Sequence, residues 1–140
     1  MKVKIGKYQK NAGRRVDVQI DDQDLWNADH TLALIIHPLL QKMVNAKHGS
    51  PAVDDEDVPV ELRSTNSEPK EFDWAIDSNW HSRWKWVLAE MTWAFGEIVD
   101  AEWEHQYFSN GFDQEAYEAH SAKIDNGLRL FGKYYRSLWT

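Results

Sequence analysis

Residues 26–59 read WNADHTLALIIHPLLQKMVNAKHGSPAVDDEDVP, and this stretch determines the architecture predicted for the whole chain. Pro38 should kink the helix predicted there, because it removes one backbone donor. Gly49 and Pro51 favour the end of the helix. Apolar residues recur at helical spacing, which predicts a helix over 28–47 with one stripe in the core: Leu32, Ile35, Ile36, Leu39 and Met43.

The first 20 residues predict a β-hairpin. Val3-Lys4-Ile5 and residues 16–20 alternate apolar and polar, as half-buried strands do, and Lys10-Asn11-Ala12-Gly13 suits the turn between them. Six Lys/Arg and one Asp give this segment a local charge of +5, so the remaining 120 residues of a chain at −7 sum to −12. We interpret the basic side chains as a solvated face, and a ribbon that binds an anion is the alternative.

A connection of nearly 30 residues, 48–77, follows the first helix and contains the acidic run Asp54-Asp55-Glu56-Asp57. Loops of this length in small domains are usually functional or disordered. We predict an ordered loop, with a solvated linker as the alternative. Cations and hydroxyls flank the acidic run and could hold a phosphate or another small anion, although capping explains each one alone: Lys47, His48, Ser50, Arg63, Ser64 and Thr65.

The next helix is predicted over 79–106, with Trp84, Val87 and Met91 among its core residues. Its opposite side carries tryptophans alternating with carboxylates. A solvent-facing surface normally avoids two Trp, so this face should be covered by the long loop, by another helix or by another subunit. Four residues therefore form the predicted assembly interface of a homo-oligomer: Trp86, Glu90, Trp93 and Glu97.

A third helix is predicted over 113–139, with Asp113 as its cap and Gly127 and Gly132 allowing close packing or a break. The fold class is α+β. We expect one domain, 1–140, in which an N-terminal β-hairpin packs on a mainly helical domain of three long helices with a long ordered loop.

Carboxylates offer the main route to catalysis. Glu97 and Asp100 share a helical face with Glu90, and such acids hold Mg²⁺ in all-helical nucleotide pyrophosphatases, which need a second acid pair from another helix. A metal-dependent nucleotide hydrolase is therefore the alternative function. The leading prediction has no catalytic residue, metal or cofactor, because the sequence lacks a phosphate-binding Gly loop, a GxGxxG motif and an HExxH motif.

Composition restricts the class of protein further. No Cys is present, which excludes disulfides and thiol chemistry. No apolar run approaches the roughly 20 residues that span a bilayer, and no signal peptide is recognised, so we expect no membrane partner. The acidic balance argues against direct nucleic-acid binding, while an acidic mimic of nucleic acid is a second alternative.

Four peptides resemble a family of small hypothetical proteins encoded by tailed bacteriophages: RRVDVQIDDQDLWNADHTLALIIHPLLQKM, KHGSPAVDDEDVP followed by ELRST, RWKWVLAEMTWAF and NGLRLFGKYYRSLW. The resemblance covers about residues 14–66 and 83–139. It carries over no catalytic motif. It implies an accessory protein in the cytoplasm of the infected bacterial host, acting in counter-defence or host takeover by binding a host or defence protein or a small signalling nucleotide.

Overall fold

A two-stranded antiparallel hairpin precedes three helices, so the α+β fold predicted from the sequence is confirmed. The structure is a computed structural model that describes residues 1–46 and 49–139. The hairpin pairs β1 (Lys2–Ile5) with β2 (Val16–Gln19). The helices are α1 (Ala28–Val44), α2 (Trp80–Val99) and α3 (Gln114–Tyr134).

Helix α2 forms the centre of the molecule, because α1 and α3 both pack along it. The predicted core residues Trp84, Val87 and Met91 are all buried. Gly127 of α3 lies against α2 so closely that an added Cβ would stand 2.3 Å from the Cβ of Ala94. Of the two roles left open for Gly127, close helix packing is confirmed, since α3 continues unbroken through it.

Helix α2 ends earlier than predicted, so the single helix over 79–106 is wrong. The chain leaves helical geometry at Asp100 (φ −80°, ψ 78°), and a separate 3-10 helix spans Trp103–Tyr107. The turn brings Trp103 onto α3, where its indole stacks on the His120 imidazole with ring centroids 4.6 Å apart. This packing favours the break over a further helical turn.

The buried side of α1 also differs from the prediction. Leu32, Ile35 and Leu39 were expected in the core but are 51%, 40% and 54% exposed. Ala33 and Leu40 are fully buried instead. Met43 is buried and Ile36 packs against the core, as predicted. The buried side of α1 is therefore displaced from the predicted stripe by less than the roughly 100° of one residue. The helix is apolar on most sides, and α2 covers only one of them.

The hairpin makes limited contact with the helices. Cross-strand pairs Val3–Val18 and Ile5–Val16 place four apolar side chains on one face, yet only Val3 is half-buried and β2 is exposed throughout. The expectation that both strands are half-buried is therefore wrong for β2. The N-terminal amine anchors the hairpin by donating a 2.8 Å hydrogen bond to Asp24 Oδ1.

The predicted cap of α3 is confirmed, since the Asp113 side chain accepts a hydrogen bond from the Ala116 amide at 3.1 Å. Helix α3 ends at Tyr134 and a short 3-10 turn follows it. Between α1 and α2, the described part of the long loop contains three 3-10 turns: Asp55–Asp57, Val60–Leu62 and Ser64–Asn66. None of the described helices combines the length and the apolar character needed to cross a membrane.

Candidate functional site

The acidic run of the long loop is docked on the end of α3. The buried carboxylate of Asp57 accepts hydrogen bonds from Tyr134 Oη at 2.6 Å, Lys133 Nζ at 2.6 Å and Arg129 Nη1 at 2.8 Å. Burial alone would raise the pKa of Asp57, but the hydrogen bonds from these three donors lower it. Lys133 also contacts Asp54 Oδ2 at 2.7 Å. Asp57 and Asp54 thus attach the loop to α3.

A second anchor joins the far end of the loop to α2. The buried guanidinium of Arg83 donates two hydrogen bonds to the buried carboxylate of Asp77, at 2.8 and 2.7 Å, and a third to the Leu62 carbonyl at 3.2 Å. The bidentate pair lowers the pKa of Asp77 and raises that of Arg83. The loop is therefore ordered by two polar anchors within the described chain.

The residues predicted to bind a ligand lie at two places around the start of α2. Lys47 and His48 fall outside the described residues. Ser64 donates to Asp55 through its amide at 2.8 Å and its hydroxyl at 2.5 Å, and the neighbouring Arg63 carbonyl accepts from Asn79 Nδ2 at 3.3 Å. Arg63, Ser64 and Thr65 therefore belong to a segment that hydrogen bonds tie down.

Ser50 lies beside the first turns of α2, where its Oγ is 2.8 Å from His81 Nδ1. Ser50, His81 and Lys85 border a cavity of about 660 Å³. His81 and Lys85 are polar groups that the sequence interpretation did not select, although their spacing of four residues on one helix indicates a shared side. Ligand binding by Ser50 stays a prediction.

The face of tryptophans and carboxylates on α2 lies against α3. Its four residues are half-buried: Trp86, Glu90, Trp93 and Glu97. Lys123 Nζ of α3 lies 4.0 Å from the centroid of the Trp93 ring, and the Glu97 carboxylate is 2.7 Å from His120 Nε2. Of the three coverings considered, a neighbouring helix of the same chain accounts for these contacts. A further role in assembly stays a prediction.

An aromatic cluster surrounds His120 between α2, α3 and the 3-10 helix at 103–107. Tyr107 Oη lies 2.6 Å from His120 Nδ1, so both imidazole nitrogens have partners. The ring of Trp103 stacks on the imidazole, and Trp93 lies beside it at 5.3 Å. Contacts between segments this distant in sequence leave no local pattern, so sequence reasoning did not find the cluster.

The alternative magnesium set is Glu90, Glu97 and Asp100. Glu97 is bonded to His120, and Asp100 caps the C-terminus of α2. Within residues 1–46 and 49–139, no group of three or more His, Asp or Glu side chains is placed to hold a metal ion. The metal-binding alternative stays a prediction.

The exposed side of α1 is the strongest candidate surface. Leu32, Ile35 and Leu39 stand at positions i, i+3 and i+7, which is the spacing of a helix–helix contact. Just before α1, Leu25 and Trp26 are also exposed, Trp26 by 88%. We call Leu32, Ile35 and Leu39 the α1 stripe. It is patterned like a core but is left open by the described part of the chain.

Comparison of the chain with protein-family models, with curated proteins and with solved structures gave no match.

Proposed function

We propose that this protein acts without catalysis, by binding another protein through the α1 stripe. The observation that carries the proposal is the exposure of Leu32, Ile35 and Leu39, by 51%, 40% and 54%, on one side of a helix. Contiguous exposed apolar side chains on a small protein are typical of interaction sites. The stripe is therefore best explained by a partner that covers it.

The spacing of the α1 stripe favours an amphipathic helix as the element that the partner contributes. Helices that dock on other helices place anchors at i, i+3 and i+7, and the stripe has the same repeat. Each side chain is about half exposed, so complete burial would contribute roughly 1 kcal/mol per residue.

The resemblance to phage accessory proteins supports a host or defence protein in the infected bacterium as the partner. A small signalling nucleotide is the alternative ligand. The cavity beside Ser50, His81 and Lys85 supports that alternative, because it offers a hydroxyl, an imidazole and a cation. The protein partner is favoured because Ser64, another residue predicted to hold a small anion, donates both its amide and its hydroxyl to Asp55.

The proposal is tested by photo-crosslinking in bacterial cells that express the full chain. A benzophenone amino acid at position 35 should form an adduct with one defined protein, while the same amino acid at the exposed loop position 60 should not. Leu32→Lys/Leu39→Lys should abolish binding of the protein identified in this way without unfolding α1, because both sites are exposed and Lys is a good helix former.

The matched control is Val60→Lys/Trp74→Lys, which changes two exposed apolar residues of the loop. This variant should bind the identified partner as the wild type does. A double Lys variant of the stripe that still folds and still binds would show that the α1 stripe is not the docking surface.

A further inference from the structure

The hairpin carries a dense cluster of cations. Residues 2–15 contain six basic residues and no acidic one, a local charge of +6: Lys2, Lys4, Lys7, Lys10, Arg14 and Arg15. All six are exposed. None has a carboxylate within 4.0 Å among the residues that the structure describes. The apolar face of the same hairpin is open at Ile5, Val16 and Val18.

A second segment has the opposite charge. Residues 100–118, which join α2 to the start of α3, contain six acidic residues and no Lys or Arg, a local charge of −6: Asp100, Glu102, Glu104, Asp113, Glu115 and Glu118. All six are exposed. Two exposed phenylalanines lie among them, Phe108 and Phe112, with stacked rings whose centroids are 4.9 Å apart. No Lys or Arg of the described chain pairs with these carboxylates.

We infer that the basic hairpin docks on residues 100–118 of a second copy of this chain. The two segments are opposite in charge, +6 against −6, and the acidic segment adds the exposed rings of Phe108 and Phe112. A dimer with twofold symmetry makes the contact twice, since each hairpin meets the acidic segment of the other copy.

A nucleic acid is a poorer occupant of the basic hairpin. The residues outside the first 20 sum to −12, so a phosphate backbone that approaches the hairpin also meets the field of the acidic remainder. A second copy brings the required negative charge on residues 100–118. The inference goes beyond the proposed function and uses other residues than the α1 stripe, so either can fail alone.

Sedimentation velocity of the full chain tests the inference. The wild type should dimerise as its concentration rises. The dissociation constant of the dimer should increase at least tenfold between about 0.01 M and about 1 M salt, because the screening length falls from roughly 30 Å to roughly 3 Å. Lys7→Glu/Lys10→Glu should be monomeric, as should Glu102→Lys/Glu118→Lys. An equimolar mixture of the two variants should restore a dimer that contains one copy of each.

The matched control is Lys42→Glu/Lys70→Glu, which makes the same change in net charge at exposed lysines outside the hairpin and should dimerise like the wild type. A zero-length carbodiimide crosslinker on mixed ¹⁴N- and ¹⁵N-labelled wild type serves as a second readout that needs no variant. Amide links between residues 2–15 and 100–118 should join labelled to unlabelled copies.

Three results would overturn the inference: a wild type that stays monomeric at every concentration, reversed variants that dimerise as well as the wild type, or crosslinks confined to single copies. If a monomeric wild type sedimented faster after duplex DNA was added, the hairpin would be assigned to nucleic-acid binding instead.

Discussion

The phenol of Tyr134 donates a 2.6 Å hydrogen bond to the buried carboxylate of Asp57, a residue 77 positions earlier in the chain. The same oxygen accepts a 3.0 Å hydrogen bond from the Asp54 amide. One hydroxyl at the end of α3 therefore satisfies a side chain and a backbone group of the acidic loop. These two hydrogen bonds hold the most acidic run of the sequence against the end of α3.

We expect Tyr134→Phe to lower the free energy of unfolding by about 1–3 kcal/mol, because it leaves the Asp54 amide and one lone pair of Asp57 without a partner. Urea denaturation of both proteins measures the difference. The control is Tyr135→Phe, since that neighbouring ring is mainly exposed and its change should cost little. Equal stability of the two variants would show that the hydroxyl of Tyr134 contributes nothing.

Acid should weaken the two loop anchors together. The pKa values of Asp57 and Asp77 are lower in the fold than their ordinary value of 3.8. The unfolded chain therefore binds protons first, so the stabilisation is complete above 3.8 and is lost as the pH falls through the folded values. Urea denaturation as a function of pH should show this decline, and Asp57→Asn should make it shallower. A slope unchanged by that substitution would contradict the assignment.

Alkaline conditions act on the same contact through its other partner. Burial and the hydrogen bond to Asp57 raise the pKa of Tyr134 to about 12 from an ordinary value of 10.0. The neutral phenol is favoured in the fold, so its stabilisation is present below pH 10.0 and declines as the pH rises towards about 12. Tyrosine ionisation can be followed by the phenolate absorbance at about 295 nm. In Tyr134→Phe, the titration curve should lack one tyrosine that ionises late in the wild type. An unchanged titration curve would contradict the raised pKa.

The pair of Arg83 and Asp77 should show strong coupling in a double-mutant cycle. Removing either partner leaves a buried charge without compensation, and we expect Arg83→Met or Asp77→Leu alone to cost about 3–5 kcal/mol. The double variant should cost less than the sum of the two, because no buried charge then remains. Additive losses measured by urea denaturation would show that the two residues act independently.

The sequence predicted the elements better than their mutual contacts. Hydrophobic periodicity located all three helices, but on α1 it could not separate Leu39 from Leu40, because the helix is apolar on most sides and only the position of α2 selects the buried one. The break at Asp100 likewise depends on tertiary packing, since Trp103 turns back onto His120. A local pattern contains neither piece of information.

For the candidate surfaces, too, the sequence showed the residues but not the contacts between them. The acidic run at 54–57 and the cations Arg129 and Lys133 are each visible in the sequence, yet their pairing joins residues that are more than 70 positions apart and only the fold reveals it. The α1 stripe was recognised as an apolar stripe and assigned to the core. Its exposure is the observation that supports the proposed docking surface.

The metal-dependent alternative has its own thermal test. We expect millimolar Mg²⁺ or Mn²⁺ to leave the Tm unchanged, because Glu97 is engaged by His120 and the described residues hold no cluster of three ligands. A metal that binds only the native state would raise the Tm. A rise that disappears in Glu90→Gln would support the hydrolase alternative and would count against purely non-catalytic binding.

Two glycines of α3 should respond to alanine in opposite directions. A Cβ at Gly127 would stand 2.3 Å from the Cβ of Ala94 and 2.9 Å from the Glu90 carbonyl oxygen, so Gly127→Ala must push α3 away from α2 and should cost about 1–3 kcal/mol. A Cβ at Gly132 would meet nothing within 4 Å. Gly132→Ala should therefore stabilise the protein by up to about 1 kcal/mol through helix propensity alone. Thermal denaturation measures the Tm of both variants. A shift of the Tm in the same direction for both would contradict the close approach of α2 and α3.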